Sequence, residues 1–295
     1  MSAGGCLVRT AAGAASGMTA AWAARLAYTA VGRRPPGGPT AWSRTNHRGE
    51  PVTLLEGPAV AAGAIAGALA HAGLVSMAGS PGWRAGTAMA VAGAGGAAFG
   101  AYDDLAGSAD RRGFRGHLGA LRHGEVTTGA IKLGGIGLTG ILSAALVGGP
   151  AGDVAINAGL VAGGANLLNL FDLRPGRAIK VAAASGALIT VGGALSSGSA
   201  VPVAAGLALL PEDLGEQAML GDCGANALGA MLGAAAAAGL PRPARIALLA
   251  GIAGLTAASE KVSFTKVIER TPALRRLDML GRRPPEDTGE RAFPP

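Results

Sequence analysis

The stretch GWRAGTAMAVAGAGGAAFGAYDD, residues 82–104, indicates which class of protein this is. From Gly82 to Tyr102 the only charged side chain is Arg84, and the run is as long as the roughly 20 apolar residues that cross a bilayer. It ends in two adjacent carboxylates, Asp103 and Asp104. Because ionised carboxylates are costly in hydrocarbon, this pair is either solvated at a helix end or bound to a cation.

The composition also favours a membrane protein. Only 15% of the 295 residues are charged, against roughly 25% in soluble domains, and the mean hydropathy is +0.39. Most of the apolar residues are alanine and glycine, whose small side chains would allow close helix packing and a homodimer. The net charge of +7 does not indicate nucleic acid as a partner, because the basic residues lie in short loops between apolar runs.

Nine apolar segments predict an all-α, polytopic helical bundle in the lipid bilayer of the cell membrane. They are residues 8–31, 53–79, 83–102, 128–148, 152–171, 178–197, 199–215, 222–240 and 243–259. Arginine-rich loops follow the first, third and fifth segments, which predicts an outside N-terminus and a cytoplasmic C-terminus. We therefore predict a transmembrane core over residues 1–260 and a basic cytoplasmic tail over 261–295. The acidic stretch from Pro211 to Gly221 is predicted to be a cytoplasmic loop.

Polar residues recur at the cytoplasmic ends of these segments. Asn166, Asn169 and Asp172 are spaced three residues apart, so they form one stripe on a helix, and Asp222 begins the eighth segment. A polar stripe in a membrane helix faces the bundle interior. This topology places the stripe and Asp222 on the same side of the membrane as Asp103.

Several carboxylates beside a basic loop predict a site for Mg²⁺ and a phosphorylated substrate. Magnesium prefers oxygen ligands and usually takes one or two carboxylates together with substrate phosphates. Arg115 and His117, in the loop after the third segment, would bind further phosphate charge. Lys132 lies just inside the fourth segment, where it either contacts phosphate or extends along the helix to the membrane surface.

Five short strings resemble one enzyme family. They are AYDDLAG (101–107), GFRGHLGAL (113–121), TTGAIK (127–132), NLLNLFDLRPGRA (166–178) and LGDCGANALGA (220–230). In this order, at these segment ends, they resemble the polyprenyl-phosphate N-acetylhexosamine-1-phosphate transferases, which include phospho-N-acetylmuramoyl-pentapeptide transferase. The similarity extends from about residue 30 to 260.

The resemblance implies an enzyme that transfers a sugar-1-phosphate from a UDP-sugar to a membrane polyprenyl phosphate, with magnesium, and releases UMP. It implies that Asp103 and Asp104 are catalytic, one of them deprotonating the lipid phosphate or supporting the metal. Asp222 would bind magnesium together with Asp104. Asn169 and Asp172 would bind the nucleoside, and Lys132 a phosphate. Such an enzyme would act at the cytoplasmic face in cell-wall or envelope glycan synthesis.

The chain differs from the family at two positions near the nucleoside stretch. Pro175 stands where relatives that use muramoyl-pentapeptide have a second aspartate, and Met219 where an aromatic residue can stack on uracil. The identity of the sugar and of the donor nucleotide therefore stays open. Two alternatives to the transferase are also considered. One is a non-catalytic relative that binds polyprenyl phosphate. The other is a cation-coupled transporter, which predicts carboxylates near the middle of the bilayer and an inverted repeat.

Overall fold

The structure is a computed structural model that describes residues 3–79, 82–106, 127–194 and 198–284. Within these ranges the chain forms eleven helices and one β-hairpin. The helices are α1 (Ala3–Arg33), α2 (Glu56–Met77), α3 (Trp83–Ala106), α4 (Thr128–Val147), α5 (Ala151–Phe171), α6 (Arg177–Ile189), α7 (Ala200–Leu214), α8 (Gly221–Gly239), α9 (Arg242–Ser259), α10 (Phe264–Arg270) and α11 (Pro272–Met279).

Each of the nine apolar segments predicted from the sequence corresponds to one of the helices α1 to α9. One helix end differs from its predicted position by more than five residues, and one predicted loop is partly helical. Helix α6 ends at Ile189 and the chain continues as a π-helical turn over Thr190–Ala194. Helix α7 continues through Pro211 to Leu214, so the first part of the predicted acidic loop is helical. This last turn is anchored because Asp213 is buried and accepts a hydrogen bond from the backbone N–H of Gly176.

Three helices in the described part of the chain are long and apolar enough to cross a membrane: α2, α4 and α5. A fourth span results if α9 and α10 are taken together, although the chain bends by 95° between them. Length and composition thus support a membrane-spanning helical protein.

The prediction of an all-α fold omits one small element, an antiparallel hairpin between α1 and α2. Strand β1 (Ser43–Thr45) pairs with β2 (Pro51–Thr53), with Arg44 opposite Val52. A parallel bridge between Thr53 and Ala218 attaches this hairpin to the loop before α8. Strands of three residues in a polar loop are too short to give the alternating pattern by which strands are recognised.

Helix α8 is the centre of the bundle. Nearly all of its residues are buried, and it packs against α3 and α5 along its length. Glycines allow these close approaches: a Cβ added to Gly100 would overlap the backbone of Asp222, and one added to Gly229 would overlap the backbone of Gly164. The small side chains of the sequence therefore bring helix backbones together, as in membrane bundles.

Contacts at one end of the bundle define what we call the site end. There α3, α5 and α7 end and α4, α6 and α8 begin, and the hairpin lies against the loop that enters α8. Helices α10 and α11 dock at the same end. There Arg177 donates hydrogen bonds to Asp278, from Nε to Oδ1 at 2.7 Å and from Nη2 to Oδ2 at 3.1 Å. Residues 264–284, which we call the C-terminal arm, are thus packed against the helical bundle.

Candidate functional site

Asp104 caps the N-terminus of the central helix α8. Its Oδ1 accepts a hydrogen bond from the backbone N–H of Asp222 at 3.1 Å, and its Oδ2 accepts one from Cys223 at 2.9 Å. A carboxylate at this position satisfies helix N–H groups that have no partner within the helix and interacts favourably with the helix dipole. The turn into α8 requires Gly221, whose φ is +60° and whose added Cβ would lie 3.0 Å from Asp104 Oδ2.

Lys132 joins the other two aspartates. Its Nζ lies 3.3 Å from Oδ2 of Asp103 and also donates to Oδ2 of Asp222. The three residues come from α3, α4 and α8, and only 13% of the lysine side chain is exposed. The ammonium group therefore points to two carboxylates and does not extend along the helix to water, which was the alternative interpretation of this lysine.

The residues of the predicted stripe on α5 have different neighbours. Asn166 donates through Nδ2 to Oγ1 of Thr256 on α9 at 3.3 Å. Asn169 is half-buried one turn later, and Asp172 follows the last residue of the helix. Asp172 accepts a hydrogen bond from the backbone N–H of Gly221, next to the Asp104 cap. The structure thus brings Asp172, but not Asn166, into contact with the loop at the start of α8.

Asp172 lies in a strongly acidic environment. Burial raises the pKa of its carboxyl well above the ordinary value, and the nearby charges of Asp213 and Asp222 raise it further. The hydrogen bond from Gly221 lowers the pKa of Asp172, but by less than burial and the nearby charges raise it. A carboxyl of this kind holds a proton at higher pH than an exposed aspartate, so it can act as a hydrogen-bond donor.

A cavity of about 210 Å³ opens beside Asp172. Four segments form its wall: the hairpin, the loop after α5, the last turn of α7 and the loop before α8. The lining residues are Thr45, Asn46, His47, Val52, Asp172, Leu173, Arg174, Pro175, Asp213, Glu216, Ala218 and Met219. We call this space the hairpin cavity. It includes Pro175 and Met219, the two positions at which the sequence differs from the transferase family.

Two acidic residues of this region were missed in the sequence. Glu56 is fully buried in the first turn of α2, and neither of its carboxylate oxygens has a hydrogen-bond partner in the described part of the chain. In the sequence it resembles an ordinary acidic residue in the first turn of a helix. Glu216 is also buried, and its φ of 57° makes it the one non-glycine residue with positive φ among the described residues. No sequence pattern indicates that conformation at a glutamate.

The carboxylates fit a magnesium ion in part. Asp103 and Asp222 already converge on one cationic group, and magnesium needs only one or two carboxylates when phosphates and water complete its shell. Both oxygens of Asp104 are used by backbone N–H groups. Within residues 3–79, 82–106, 127–194 and 198–284, no three His, Cys, Asp or Glu side chains are placed to hold a metal ion by themselves. Arg115 and His117 lie outside the described residues.

No protein-family model, no curated protein and no solved structure matches this chain.

Proposed function

We propose that this protein transfers a sugar-1-phosphate from a UDP-sugar to a membrane polyprenyl phosphate and releases UMP. The observation that supports the proposal best is the meeting of Asp103, Lys132 and Asp222 at one end of the bundle, beside a cavity. Phosphoryl transfer depends chiefly on positioning and charge neutralisation. A lysine between two carboxylates provides a positive charge and metal-binding oxygens in one place. The family resemblance of the motifs around these residues is the second support.

In the proposed reaction, two phosphorylated substrates meet at this cluster. An oxygen of the polyprenyl phosphate attacks the phosphorus that carries the sugar. The bond between that phosphorus and the bridging oxygen of UDP breaks, and UMP leaves with the oxygen. Because both substrates are anionic, they repel each other, and Lys132 would hold the donor phosphate against this repulsion.

The proposed cofactor is Mg²⁺, which when bound neutralises phosphate charge and polarises the phosphoryl oxygens. Asp103 and Asp222 would hold it, since their oxygens are not used by the backbone. Asp104 was predicted as a catalytic residue and metal ligand. Its two hydrogen bonds to α8 favour a different role, in which it sets the position of Asp222.

We propose the hairpin cavity as the place for the nucleoside part of the donor. Its 210 Å³ is less than the roughly 300–1,000 Å³ of pockets that enclose a whole small molecule, so only part of a UDP-sugar would enter. Asp172 would hydrogen-bond the base, and Met219 would offer an apolar surface to its ring. The diphosphate would then extend from the cavity toward Lys132.

The acceptor's hydrocarbon chain needs an apolar surface within the membrane. A second cavity of about 180 Å³ lies between α5, α6, α8 and α9, and its lining includes Leu167, Leu188, Leu232 and Ile252. A polyprenyl chain is flexible and apolar, so it suits such a lining. We propose that part of the lipid lies there, with its phosphate at the site end.

The proposal includes a membrane topology. All nine helices α1 to α9 would span the cell membrane, with the N-terminus outside and the site end in the cytoplasm, where nucleotide-sugars are made. The product would enter cell-wall or envelope glycan synthesis. Two copies could associate through exposed small-residue surfaces, as the composition suggests.

The position of the charged cluster favours a transferase over a cation-coupled transporter. Asp103 is near the end of α3, and Lys132 and Asp222 are near the starts of α4 and α8. A transporter would instead have carboxylates near the middle of the membrane. A protein that binds polyprenyl phosphate without reacting would have the same cluster, so an assay of the reaction separates the two.

The test is UMP release by purified protein supplied with polyprenyl phosphate, Mg²⁺ and a panel of UDP-sugars. We expect one donor to be used, and we expect Asp222→Asn to abolish release. Asp153→Asn is the matched control, because Asp153 is also in the first turn of a helix but pairs with Arg242 and Arg245 at the opposite end of the bundle. UMP release at an unchanged rate by the Asp222→Asn protein would contradict the mechanism.

A further inference from the structure

The hairpin is positioned to act as a wall of the hairpin cavity. Thr45, Asn46 and His47, at the end of β1 and in the turn, all line it. The base of the hairpin is fixed to the loop before α8, because Thr53 N–H donates to the carbonyl of Gln217 at 3.3 Å and Met219 N–H donates to that of Thr53 at 3.0 Å. The turn therefore forms one side of the cavity on a fixed base.

Glu216 holds this turn from inside. Its side chain is only 1% exposed. One carboxylate oxygen accepts a hydrogen bond from Asn46 Nδ2 at 2.8 Å, and the other accepts one from Arg48 Nε at 2.9 Å. The Nδ1 of His47 lies 3.7 Å from the same carboxylate. All three partners belong to the turn that faces the cavity.

The backbone at Glu216 adds a second, independent observation. Its φ of 57° is a left-handed conformation that is strained for a non-glycine residue, and such strain persists only where the surroundings enforce it. The surrounding structure here includes hydrogen bonds to the carboxylate. Functional sites are where such strain collects.

The Asn46 amide has a fixed orientation in the turn, with Glu216 as the nearer of its two acceptors. Asn46 Oδ1 accepts the backbone N–H groups of Arg48 at 2.8 Å and Glu50 at 2.9 Å, which fixes the orientation of the amide. Its Nδ2 then donates to Oε2 of Glu216 at 2.8 Å and, over a longer distance of 3.2 Å, to Oε2 of Glu50. A glutamine at position 216 could accept from Arg48 or from Asn46, but its own NH₂ group would oppose the remaining donor.

The C-terminal arm holds the same turn from outside. Arg283 donates hydrogen bonds to both carboxylate oxygens of Glu50, at 2.6 and 3.0 Å. Arg48 donates through Nη2 to the carbonyl oxygen of Pro284 at 2.7 Å. These contacts are more exposed than those of Glu216, so Glu216 is the stronger anchor.

We propose that the hairpin is the specificity wall of the donor pocket and that Glu216 is its positioning residue. This inference rests on the proposed function, since it takes the nucleoside part of a nucleoside diphosphate sugar as the ligand of the hairpin cavity. Glu216 lines the cavity, but its carboxylate is only 1% exposed and is occupied by hydrogen bonds to the turn. It places Asn46 and His47 where they contact the nucleoside, while Lys132 and the aspartates handle the phosphates.

The kinetic test compares Glu216→Gln with the unsubstituted protein. We expect KM for the UDP-sugar to rise about tenfold, which corresponds to about 1.4 kcal/mol. The values of kcat and of KM for polyprenyl phosphate should stay the same, because the phosphate cluster is not altered. The matched control is Glu212→Gln, whose carboxylate pairs with Arg25 outside the cavity and should leave all three constants unchanged. An equal loss of kcat in Glu216→Gln would overturn the inference.

A second measurement needs no reaction. In a protein with Cys6→Ser and His47→Cys, a water-soluble maleimide reports how open the hairpin turn is, since Cys223 is buried. Adding Glu216→Gln should speed labelling, and adding Glu212→Gln should not. Equal labelling rates would refute the role of Glu216. If the unsubstituted protein released no UMP with any donor, the transferase proposal would fail, while these rates would still decide whether Glu216 holds the hairpin.

Discussion

Asp103 and Asp104 are adjacent in the chain but have different partners. Asp103 meets the ammonium of Lys132, whereas Asp104 accepts two backbone N–H groups of α8. The α3 helix turns by about 100° per residue, so neighbours point in different directions. A pair that looks equivalent in the sequence therefore divides into one residue at the charged cluster and one at a helix terminus.

This difference predicts separate effects of the two substitutions. Asp104→Asn should lower the free energy of unfolding by about 0.5–2 kcal/mol, because an amide satisfies only one of the two N–H donors and removes the charge at the helix start. Asp103→Asn should leave stability near that of the unsubstituted protein and remove UMP release. Thermal unfolding in detergent measures the stability of both variants, and the UMP-release assay measures the activity of Asp103→Asn. Equal melting temperatures for the two variants would contradict the capping role of Asp104.

At the scale of elements, several contacts hold the C-terminal arm, and the ion pair of Asp278 with Arg177 is more buried than that of Arg283 with Glu50. Asp278→Asn would leave Arg177 buried without its anion, and breaking such a pair costs about 3–5 kcal/mol. We expect the arm to detach, which limited trypsin digestion after Arg275 or Arg276 would detect. Glu269→Gln is the control, since the exposed pair of Glu269 with Arg174, at 3.9 Å, should contribute little. Equal digestion of both variants would count against the ion pair as the anchor.

The same ion pair gives a pH dependence of known sign. Burial acts to raise the pKa of Asp278, but its hydrogen bonds with Arg177 and the nearby positive charges outweigh this, so the pKa is lowered. A lowered pKa means that the carboxylate stabilises the docked arm above the ordinary aspartate pKa of about 3.9, and that this contribution is lost as the pH falls through the lowered value. The arm should therefore stay docked throughout the neutral range.

The helices were predictable because apolar runs alternate with charged or turn-rich loops, although only α2, α4 and α5 are each long and apolar enough to span a membrane. Each of the nine predicted segments corresponds to a helix, and the predicted ends lie within five residues of the observed ones except at α6, which ends at Ile189 where residue 197 was predicted. The hairpin was not predictable, because its three-residue strands depend on a bridge to Ala218, which lies 165 residues after Thr53. The C-terminal arm was predicted only as a basic tail. Its docking could not be predicted, because the contact of Arg177 with Asp278 joins positions 101 residues apart.

The candidate site was predictable in part for a similar reason. Asp103, Asp172 and Asp222 stand at the ends of apolar runs, where a charge is conspicuous, and Lys132 interrupts one. Glu56 and Glu216 stand beside turns, where acidic residues are common, so nothing in the sequence sets them apart. Their burial results from packing of the hairpin and the loops around α8, which no local pattern describes. The sequence therefore indicated the charged cluster but not the wall of the cavity next to it.

For the whole molecule, the proposed topology predicts opposite exposure of the two ends of the bundle. In a Cys6→Ser protein, Ala78→Cys lies after α2 at the end away from the site, and Lys261→Cys lies at the site end; both positions are exposed. A maleimide that does not cross membranes should label Ala78→Cys in intact cells, and Lys261→Cys only after the cells are made permeable. Full labelling of both in permeable cells is the control for reactivity. Labelling of Lys261→Cys in intact cells would place the charged cluster outside, away from cytoplasmic nucleotide-sugars, and would exclude the proposed reaction.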